Sequence, residues 1–283
     1  MHINKSIYSN NLLVELKIGE IYCKSVLNKS LLYDIDYSIN PYIGCEHGCR
    51  YCYGRFYVGY KFRDMPWGEY VYAKINAPRV LIRELKRNSN GRVLISSITD
   101  PYQPLESKFM ITRRILELLL KSNFEIYILT KSPLILRDLD ILSKFNNIYA
   151  GFSFINLNED LRVKFESKTP PVMERIKAIK TLRDSGIKTY AFIAPLMPLN
   201  EKYVYDLMNK LVEVGVEYVV VDRLNIHGDP LKYINDLTSF LPIHHRNSIR
   251  RILIYGYNKY YNFMKNKLTE YSKEIGLNIF FSY

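Results

Sequence analysis

Apolar and polar positions alternate along this chain with two different periods. Runs rich in β-branched and aromatic residues predict strands buried on both faces, because a solvated face would interrupt them with polar residues. These runs cover 92–97, 125–130, 148–154, 188–194 and 216–222. Between them, apolar residues recur at three- and four-residue spacing in 111–119, 172–182 and 204–212, which is typical of helices with one buried face. Buried strands that alternate with amphipathic helices predict a parallel α/β fold.

The strand and helix units follow each other without a long linker, which is typical of a closed or partial βα barrel. A doubly wound sheet has the same alternation, so periodicity does not distinguish the two. We expect a single domain of three parts: an N-terminal segment at 1–36, the α/β region at 37–241 and a tyrosine-rich helical extension at 242–283. Within that extension, 277–281 has the composition of a last strand.

Composition excludes a mostly disordered or membrane-spanning chain. Of the 283 residues, 48% are hydrophobic and 24% are charged, which provides enough apolar side chains for a full core. No apolar run approaches the roughly 18 residues of a membrane span, and the N-terminal sequence lacks the apolar core of a signal peptide. We therefore expect a soluble, cytoplasmic protein without a membrane partner. The net charge of +12 favours anionic partners such as nucleic acid, but charge alone identifies no function.

Three of the four cysteines, Cys45, Cys49 and Cys52, form a CxxxCxxC array. This spacing in a chain with few cysteines indicates a metal or redox site rather than a disulfide scaffold. A structural zinc site normally takes four protein ligands in two pairs, and the sequence has no second pair. An electron-transfer 4Fe-4S cluster takes four cysteines, but Cys23 lies far upstream. Three thiolates on one loop would leave one iron open to a substrate or cofactor.

The array, with Tyr51 directly before its last cysteine, resembles the signature of the radical S-adenosylmethionine (SAM) enzymes. The resemblance implies a partial (β/α) barrel of TIM-like type and a 4Fe-4S cluster held by Cys45, Cys49 and Cys52. It also implies that the open iron binds the amino and carboxylate groups of SAM, whose reductive cleavage yields a 5′-deoxyadenosyl radical. An electron donor such as a ferredoxin or flavodoxin is then the expected partner.

Further segments resemble the spore photoproduct lyase-related branch of these enzymes over residues 37–225. They are GCEHGCRYCY at 44–53, TDPYQPLE at 99–106, TKSPLILRD at 130–138 and GFSF at 151–154. The lyase has a hydrogen-donating cysteine just after the second strand, where this chain has Ser96, Ser97 and Ile98. Repair of the spore photoproduct is therefore not expected. Cys23 is expected to be a buried, inert thiol rather than a substitute donor.

The resemblance implies cofactor contacts for residues at strand ends and on the cysteine loop, namely Tyr51, Thr99, Asp100, Ser153, Lys168 and Ile193. Thr99 and Asp100 would approach the amino group of SAM, or else form a turn, since Asp before Pro favours one. Ser153 would contact the carboxylate or the ribose of SAM. Lys131 or Lys168 would neutralise that carboxylate or a substrate phosphate, or else be a solvated surface charge.

Other residues near the cysteines have roles that the resemblance implies less directly. Tyr51 would pack beside the cofactor, and Ile193 would pack against adenine or belong to the barrel core. Tyr53 and Tyr102 are candidates for relaying a hydrogen atom, and no other catalytic residue is identified. His47 is expected to hydrogen-bond a cluster sulfur rather than bind iron. Active residues in such a barrel lie at the carboxyl ends of strands, so further candidate site residues are Asp222, Arg223, Asn225 and His227.

Three hypotheses for the function follow. The first is a radical SAM enzyme, lyase-like or of other radical chemistry, that abstracts hydrogen from an unknown substrate, with nucleic acid as a candidate. The second is a nucleic-acid-binding protein whose cysteine loop holds a structural metal. The third is an electron-transfer or cluster-storage protein, for which a fourth cysteine ligand is missing.

Overall fold

The structure is a computed structural model that describes residues 16–88, 90–199 and 201–283. Its strands are Lys17–Ile21 (β1), Leu27–Lys29 (β2), Tyr37–Ile39 (β3), Tyr42–Ile43 (β4), Tyr70–Lys74 (β5), Asn90–Ile95 (β6), Asn123–Thr130 (β7), Ile148–Phe154 (β8), Lys188–Leu196 (β9), Tyr218–Arg223 (β10) and Asn278–Phe281 (β11). Its α-helices are Ala77–Leu85 (α1), Glu106–Phe109 (α2), Ile111–Leu119 (α3), Leu139–Leu142 (α4), Glu159–Phe165 (α5), Val172–Asp184 (α6), Lys202–Val214 (α7), Pro230–Thr238 (α8), Ile243–Tyr255 (α9) and Tyr257–Glu274 (α10). Short 3₁₀ helices cover Tyr53–Phe56, Tyr60–Phe62 and Pro133–Asp138. The five strands predicted from the apolar runs correspond to β6 to β10.

In the described part of the chain, eight strands form one sheet in the order β11-β10-β9-β8-β7-β6-β3-β2. Neighbouring strands are parallel except β2, which runs antiparallel to β3. The strands β6 to β10 lie side by side in their sequence order, and helices connect them. A doubly wound sheet would reverse its order at a switch point, so this order distinguishes the barrel from that alternative. Because β2 and β11 stay at opposite ends, the α/β fold is a partial barrel, as predicted.

A second, smaller sheet holds the cysteine loop. Its order is β1-β5-β4, with β1 parallel and β4 antiparallel to β5. The three clustered cysteines lie on the chain between β4 and β5, so both ends of their loop belong to one sheet. The strand β1 comes from the predicted N-terminal segment, of which residues 1–15 lie outside the described residues.

The two faces of the large sheet have different neighbours, because successive side chains of a strand point to opposite faces. One face packs against helices such as α6, which contacts β8 and β9. The inner face carries a layer of tyrosines toward the amino ends of the strands. Tyr127 stacks on Tyr149 with 4.9 Å between ring centroids, and Tyr190 stacks on Tyr218 at 5.2 Å.

Gly151 of β8 leaves room for one of these rings. A Cβ atom added at Gly151 would lie 2.2 Å from Cζ of Tyr190. That ring is buried, and its hydroxyl donates a hydrogen bond to the carbonyl of Ile128 at 3.1 Å. The tyrosine layer therefore requires glycine at position 151.

The helices are amphipathic, as the periodicity predicts. The buried residues of α3 include Ile115, Leu116 and Leu119, which recur at helical spacing on one face. Of the helices in the described ranges, none combines the length and apolar character that crossing a membrane requires.

Candidate active site at the carboxyl ends of the strands

A cavity opens at the carboxyl ends of β6 to β10, on the same inner face that carries the tyrosine layer. Its wall of strand residues includes Leu129, Lys131, Ser153, Phe192, Ala194 and Asp222. The cysteine loop contributes Cys45, His47, Cys49, Tyr51, Cys52 and Tyr53. The alternation of side chains along each strand therefore brings polar strand-end residues opposite the cysteines.

All three clustered cysteines line this cavity. Cys45 and Cys49 are buried, and Cys52 is half-buried. Burial raises the pKa of each thiol above its ordinary value, so the thiols are protonated in the metal-free protein. Among residues 16–88, 90–199 and 201–283, no three His, Cys, Asp or Glu side chains are arranged to hold one metal ion. Cysteine thiolates are also the ligands of iron–sulfur clusters, in which each thiolate binds a different iron.

The TDPYQPLE segment clamps the backbone of the cysteine loop. Gly44 begins the loop with φ +83°, and a Cβ atom there would lie 2.3 Å from a backbone carbonyl of β5. The hydroxyl of Thr99 donates to the carbonyl of Gly44 at 2.6 Å. The backbone N–H of Glu46 donates to Gln103 Oε1 at 2.9 Å, and the Glu46 carboxylate accepts the N–H of Leu105 at 2.5 Å. Side-chain and backbone groups of the segment after β6 thus hold the loop in place.

Asp100 is buried, and the protein already supplies partners to both of its carboxylate oxygens. Oδ1 accepts from the N–H of Tyr102 at 2.9 Å and from the Thr130 hydroxyl at 2.6 Å. Oδ2 accepts the N–H of Lys131 at 2.8 Å and lies 3.3 Å from Nδ1 of His47. Burial opposes ionisation, but His47 and these hydrogen bonds hold the pKa of Asp100 below its ordinary value. Asp100 therefore forms a turn and joins β6 to β7, while its contact with SAM stays a prediction.

The hydroxyl of Tyr51 is part of a buried network of charged groups. The Tyr51 hydroxyl donates a hydrogen bond to the carboxylate of Glu166. Glu166 and Arg175, both without exposed side-chain surface, form an ion pair at 2.7 Å. Burial opposes ionisation of Glu166, but Arg175 and Lys131 lower its pKa to about 2. Burial and the neighbouring carboxylate raise the pKa of Tyr51, so the phenol keeps the proton that it donates.

Lys131 connects this network to the cavity. Its ammonium lies 3.5 Å from the Glu166 carboxylate and 5.8 Å from the centroid of the Tyr51 ring. The same ammonium donates to the Ser153 hydroxyl at 2.5 Å. Arg175 donates to the carbonyl of Ser153 at 2.9 Å and fixes it from the other side. Lys131 and Ser153 therefore form one polar patch on the cavity wall, and we call it the Lys131–Ser153 patch.

Ile193 does not line the cavity. It is fully buried in the core, whereas its neighbours Phe192 and Ala194 line the cavity wall. The reason is the alternation along β9, which turns residue 193 toward the opposite face of the sheet from residues 192 and 194.

Three other residues from the sequence analysis also lie outside the cavity lining. Lys168 donates its ammonium hydrogen to the carbonyl of Gly68 at 2.8 Å. Tyr102 is fully buried, with the guanidinium of Arg137 5.9 Å from its ring centroid. Cys23, expected to be buried, is partly exposed, and its thiol donates to Asn76 Oδ1 at 3.3 Å.

The strand-end residues nominated by the barrel rule lie at the cavity or beside it. Asp222, Arg223 and Asn225 line it, and burial raises the pKa of Asp222 above its ordinary value. His227 stacks on Phe56 with 4.3 Å between ring centroids. The end of β10 and the residues directly after it thus contribute polar groups to the cavity lining.

Glu166 and Arg175 were not predicted from the sequence. Arg175 lies three residues after Val172 and four before Ile179, on the face of α6 that is otherwise apolar. A charged residue on the buried face of a helix indicates an ion pair in the core, because an unpaired charge there is costly. This signal identifies Arg175 as buried but does not identify its partner.

The residues present fit the cluster and the cofactor that the resemblance implies. Cysteine thiolates are the protein ligands that iron–sulfur clusters take, and three of them border one cavity. The hydroxyl of Ser96 is buried in the same lining, and no described residue is its hydrogen-bond partner. A buried polar atom without a partner is expected where a ligand binds.

The chain is similar to several known proteins. The model of the radical SAM superfamily matches residues 39–237. An uncharacterized protein of Methanocaldococcus jannaschii is 33% identical over 254 residues, which are 89% of this chain and 88% of that protein. A spore photoproduct lyase mutant has a TM-score of 0.72 at 13% identity, over 94% of this chain and 82% of its own. Another, solved with bound AdoMet and dinucleoside spore photoproduct, has a TM-score of 0.69 at 14% identity, over 95% and 82%. At these identities, the two structures show a shared fold.

Proposed function

The chain belongs to the radical SAM superfamily, and we propose that Cys45, Cys49 and Cys52 hold the 4Fe-4S cluster with which it cleaves SAM. Members of this superfamily use that cluster and SAM, so the protein is a radical SAM enzyme. When both are bound, they supply a 5′-deoxyadenosyl radical that abstracts hydrogen from a substrate. One observation carries the ligand assignment: the three thiols and the Lys131–Ser153 patch border the same cavity.

The protein's own residues bind and orient in this proposal. The Lys131 ammonium and the Ser153 hydroxyl would hold the SAM carboxylate, since both polar groups border the cavity. Tyr51 would pack beside the cofactor, supported from behind by its hydrogen bond to the core. Phe192 and Ala194 supply an apolar wall, which keeps water away from the reacting groups.

Tyr53 is the better supported of the two proposed hydrogen-atom relays. It lines the cavity, and its hydroxyl donates to the carbonyl of Ser97. Tyr102 lies outside the cavity lining. A relay must reach both the radical and the substrate, and a tyrosine enclosed in the core reaches neither.

Nucleic acid is the proposed substrate class, and the segment 54–63 beside the cysteine loop supports it. Tyr57 and Tyr60 in this segment are 61% and 84% exposed. The same ten residues include three basic residues and no acidic one. Exposed rings beside cations bind single-stranded nucleic acid by stacking and by charge. The lyase structure with a dinucleoside ligand is similar in fold alone, so the substrate proposal depends on this segment.

Anaerobic reconstitution with iron and sulfide, followed by reduction with dithionite, tests the ligand assignment. The wild-type protein is expected to be brown and to release 5′-deoxyadenosine from SAM, and Cys49→Ala is expected to abolish that release. Cys23→Ala is the matched control, because Cys23 does not line the cavity. Undiminished release from Cys49→Ala would overturn the assignment, and a colourless zinc protein would favour a structural metal. In the cell, a ferredoxin or flavodoxin would take the place of dithionite.

A further inference from the structure

The charged residues next to the cavity lining carry a net positive charge. Glu166 is fully buried and has two cationic partners, Arg175 at 2.7 Å and Lys131 at 3.5 Å. Arg175 is fully buried as well, whereas the side chain of Lys131 is 12% exposed and borders the cavity. One carboxylate thus compensates one of two cations. The remaining positive charge resides in a group whose only exposed member is the Lys131 ammonium.

Other titratable groups near Lys131 are Asp100, Cys49 and Cys52, of which the two cysteines would carry negative charge only as thiolates that hold the cluster. Asp100 contacts Lys131 through the backbone N–H and not through the ammonium. The carboxylate of Asp100 has Nδ1 of His47 3.3 Å away. The ammonium itself donates to the Ser153 hydroxyl, which is neutral. An anionic group that enters the cavity therefore meets a cation already held in place.

We propose that Glu166 is a positioning residue for the SAM site, holding the Lys131 ammonium beside Ser153 so that it meets the carboxylate of SAM. The inference rests on the proposed function. Glu166 does not line the cavity, so it acts through Lys131 and not by touching the cofactor. Lysine has a flexible four-carbon side chain, and without an anion behind it the ammonium would lose its fixed position. Holding the cation in advance lowers the entropic cost of binding the cofactor.

The protein contains a second buried glutamate with matching partners but no link to the cavity. Glu106 is fully buried, accepts a hydrogen bond from Tyr42 and pairs with Arg137 at 2.9 Å. None of these three residues lines the cavity. The Glu106 and Glu166 networks therefore share one arrangement: a buried carboxylate that accepts a hydrogen bond from a tyrosine and pairs with an arginine. The Glu106 network has no lysine that leads to the site.

The test compares Glu166→Gln with Glu106→Gln in reconstituted protein. The amide oxygen of glutamine still accepts a hydrogen bond from tyrosine, so each substitution mainly removes a charge. We expect Glu166→Gln to raise the KM for SAM by roughly 10- to 100-fold, the scale of one hydrogen bond to a charged group, with kcat reduced by less than about threefold. Glu106→Gln should leave that KM unchanged. Equilibrium dialysis with labelled SAM and the electron paramagnetic resonance spectrum of the reduced protein with and without SAM measure binding independently of turnover.

The outcomes separate the inference from the proposed function. A KM and a dissociation constant for Glu166→Gln within twofold of wild type, or an equal increase in Glu106→Gln, would overturn the positioning role. Should Glu166→Gln fail to fold, Lys131→Met is a second test, since the positioning role requires that the Lys131 ammonium contribute to SAM binding; this variant leaves Glu166 paired with Arg175. An unchanged KM in Lys131→Met would also overturn the role. Failure of the wild-type protein to release 5′-deoxyadenosine would contradict the proposed function instead.

Discussion

The hydroxyl of Tyr51 donates a hydrogen bond to the carboxylate of Glu166, 115 residues further along the chain. This bond joins the cysteine loop to the turn between α5 and α6. The backbone adds a second link, because the N–H of Arg50 donates to the carbonyl of Phe165 at 2.9 Å. The loop that carries the cysteines therefore has its two ends in the small sheet and is also attached to the barrel, through Arg50 and Tyr51.

Acid is expected to weaken the metal-free protein through Glu166. Its pKa is about 2 in the folded chain, against an ordinary value of about 4.3 in the unfolded chain. Between these values the unfolded chain binds more protons, so the stabilisation is complete above about pH 5 and is lost as pH falls toward 2. The difference corresponds to about 3 kcal/mol. Urea unfolding between pH 6 and pH 3 measures the part that is lost over that range, about 2 kcal/mol.

The control for this experiment is a glutamate on the protein surface. Glu166→Gln should flatten the dependence of unfolding free energy on pH below about pH 4.3, because the titrating group is gone. Glu174→Gln, on the exposed face of α6, should retain the wild-type slope. Equal slopes in wild type and Glu166→Gln would show that other groups cause the acid sensitivity.

Gly151→Ala is expected to destabilise the barrel by about 1–3 kcal/mol, the usual cost of an overpacked core. The added methyl would lie 2.2 Å from the Tyr190 ring, which stacks on Tyr218 and cannot easily move. Thermal or urea unfolding measures the change. Gly59→Ala is a suitable control, since a Cβ atom there meets its nearest neighbour at 3.9 Å. Similar unfolding midpoints for the two variants would contradict the packing argument.

Thr99→Val is expected to weaken retention of iron more than it weakens the fold. It removes the hydrogen bond that Thr99 donates to the carbonyl of Gly44, which is worth about 1 kcal/mol. We expect iron to leave the reconstituted protein several-fold faster when a chelator is added. Thr181→Val, on the surface of α6, removes a comparable hydrogen bond far from the loop in sequence and should release iron at the wild-type rate. Equal rates of iron release from Thr99→Val and wild type would contradict the role of this hydrogen bond in holding the cysteine loop.

Replacing Tyr57 and Tyr60 together by alanine is expected to weaken binding of single-stranded DNA. Stacking of one base on an aromatic ring contributes about 1–3 kcal/mol, so the dissociation constant should rise at least about tenfold. Fluorescence anisotropy with a labelled oligonucleotide at several salt concentrations measures it. Tyr255→Ala removes another exposed ring, 83% exposed at the end of α9, and serves as the control. Unchanged affinity in the double variant would remove the support for a nucleic-acid substrate.

The order of strands and helices could be predicted from local pattern. Buried strands are apolar throughout and surface helices are apolar on one face, so β6 to β10 and the helices α3, α6 and α7 are visible in windows of about ten residues. No bounds were predicted for the short strands β1 to β5. The cysteine array was visible for the same reason, since Cys45, Cys49 and Cys52 lie on one short loop. The partial barrel followed from these elements together with the family resemblance. Strand order then distinguished it from a doubly wound sheet.

The side-chain arrangement around the cavity depended on tertiary structure. A shift of one residue along β9 separates Ile193, in the core, from Phe192, at the cavity, and an apolar run does not indicate which residue faces which way. The partners of Glu166 come from the cysteine loop, the end of β7 and α6. Local sequence specifies which segments become strands or helices, whereas contacts between distant segments exist only after those segments pack. The amino-acid pattern therefore determined the α/β scaffold and the cysteine array, and packing decided which charged groups lie next to the cavity.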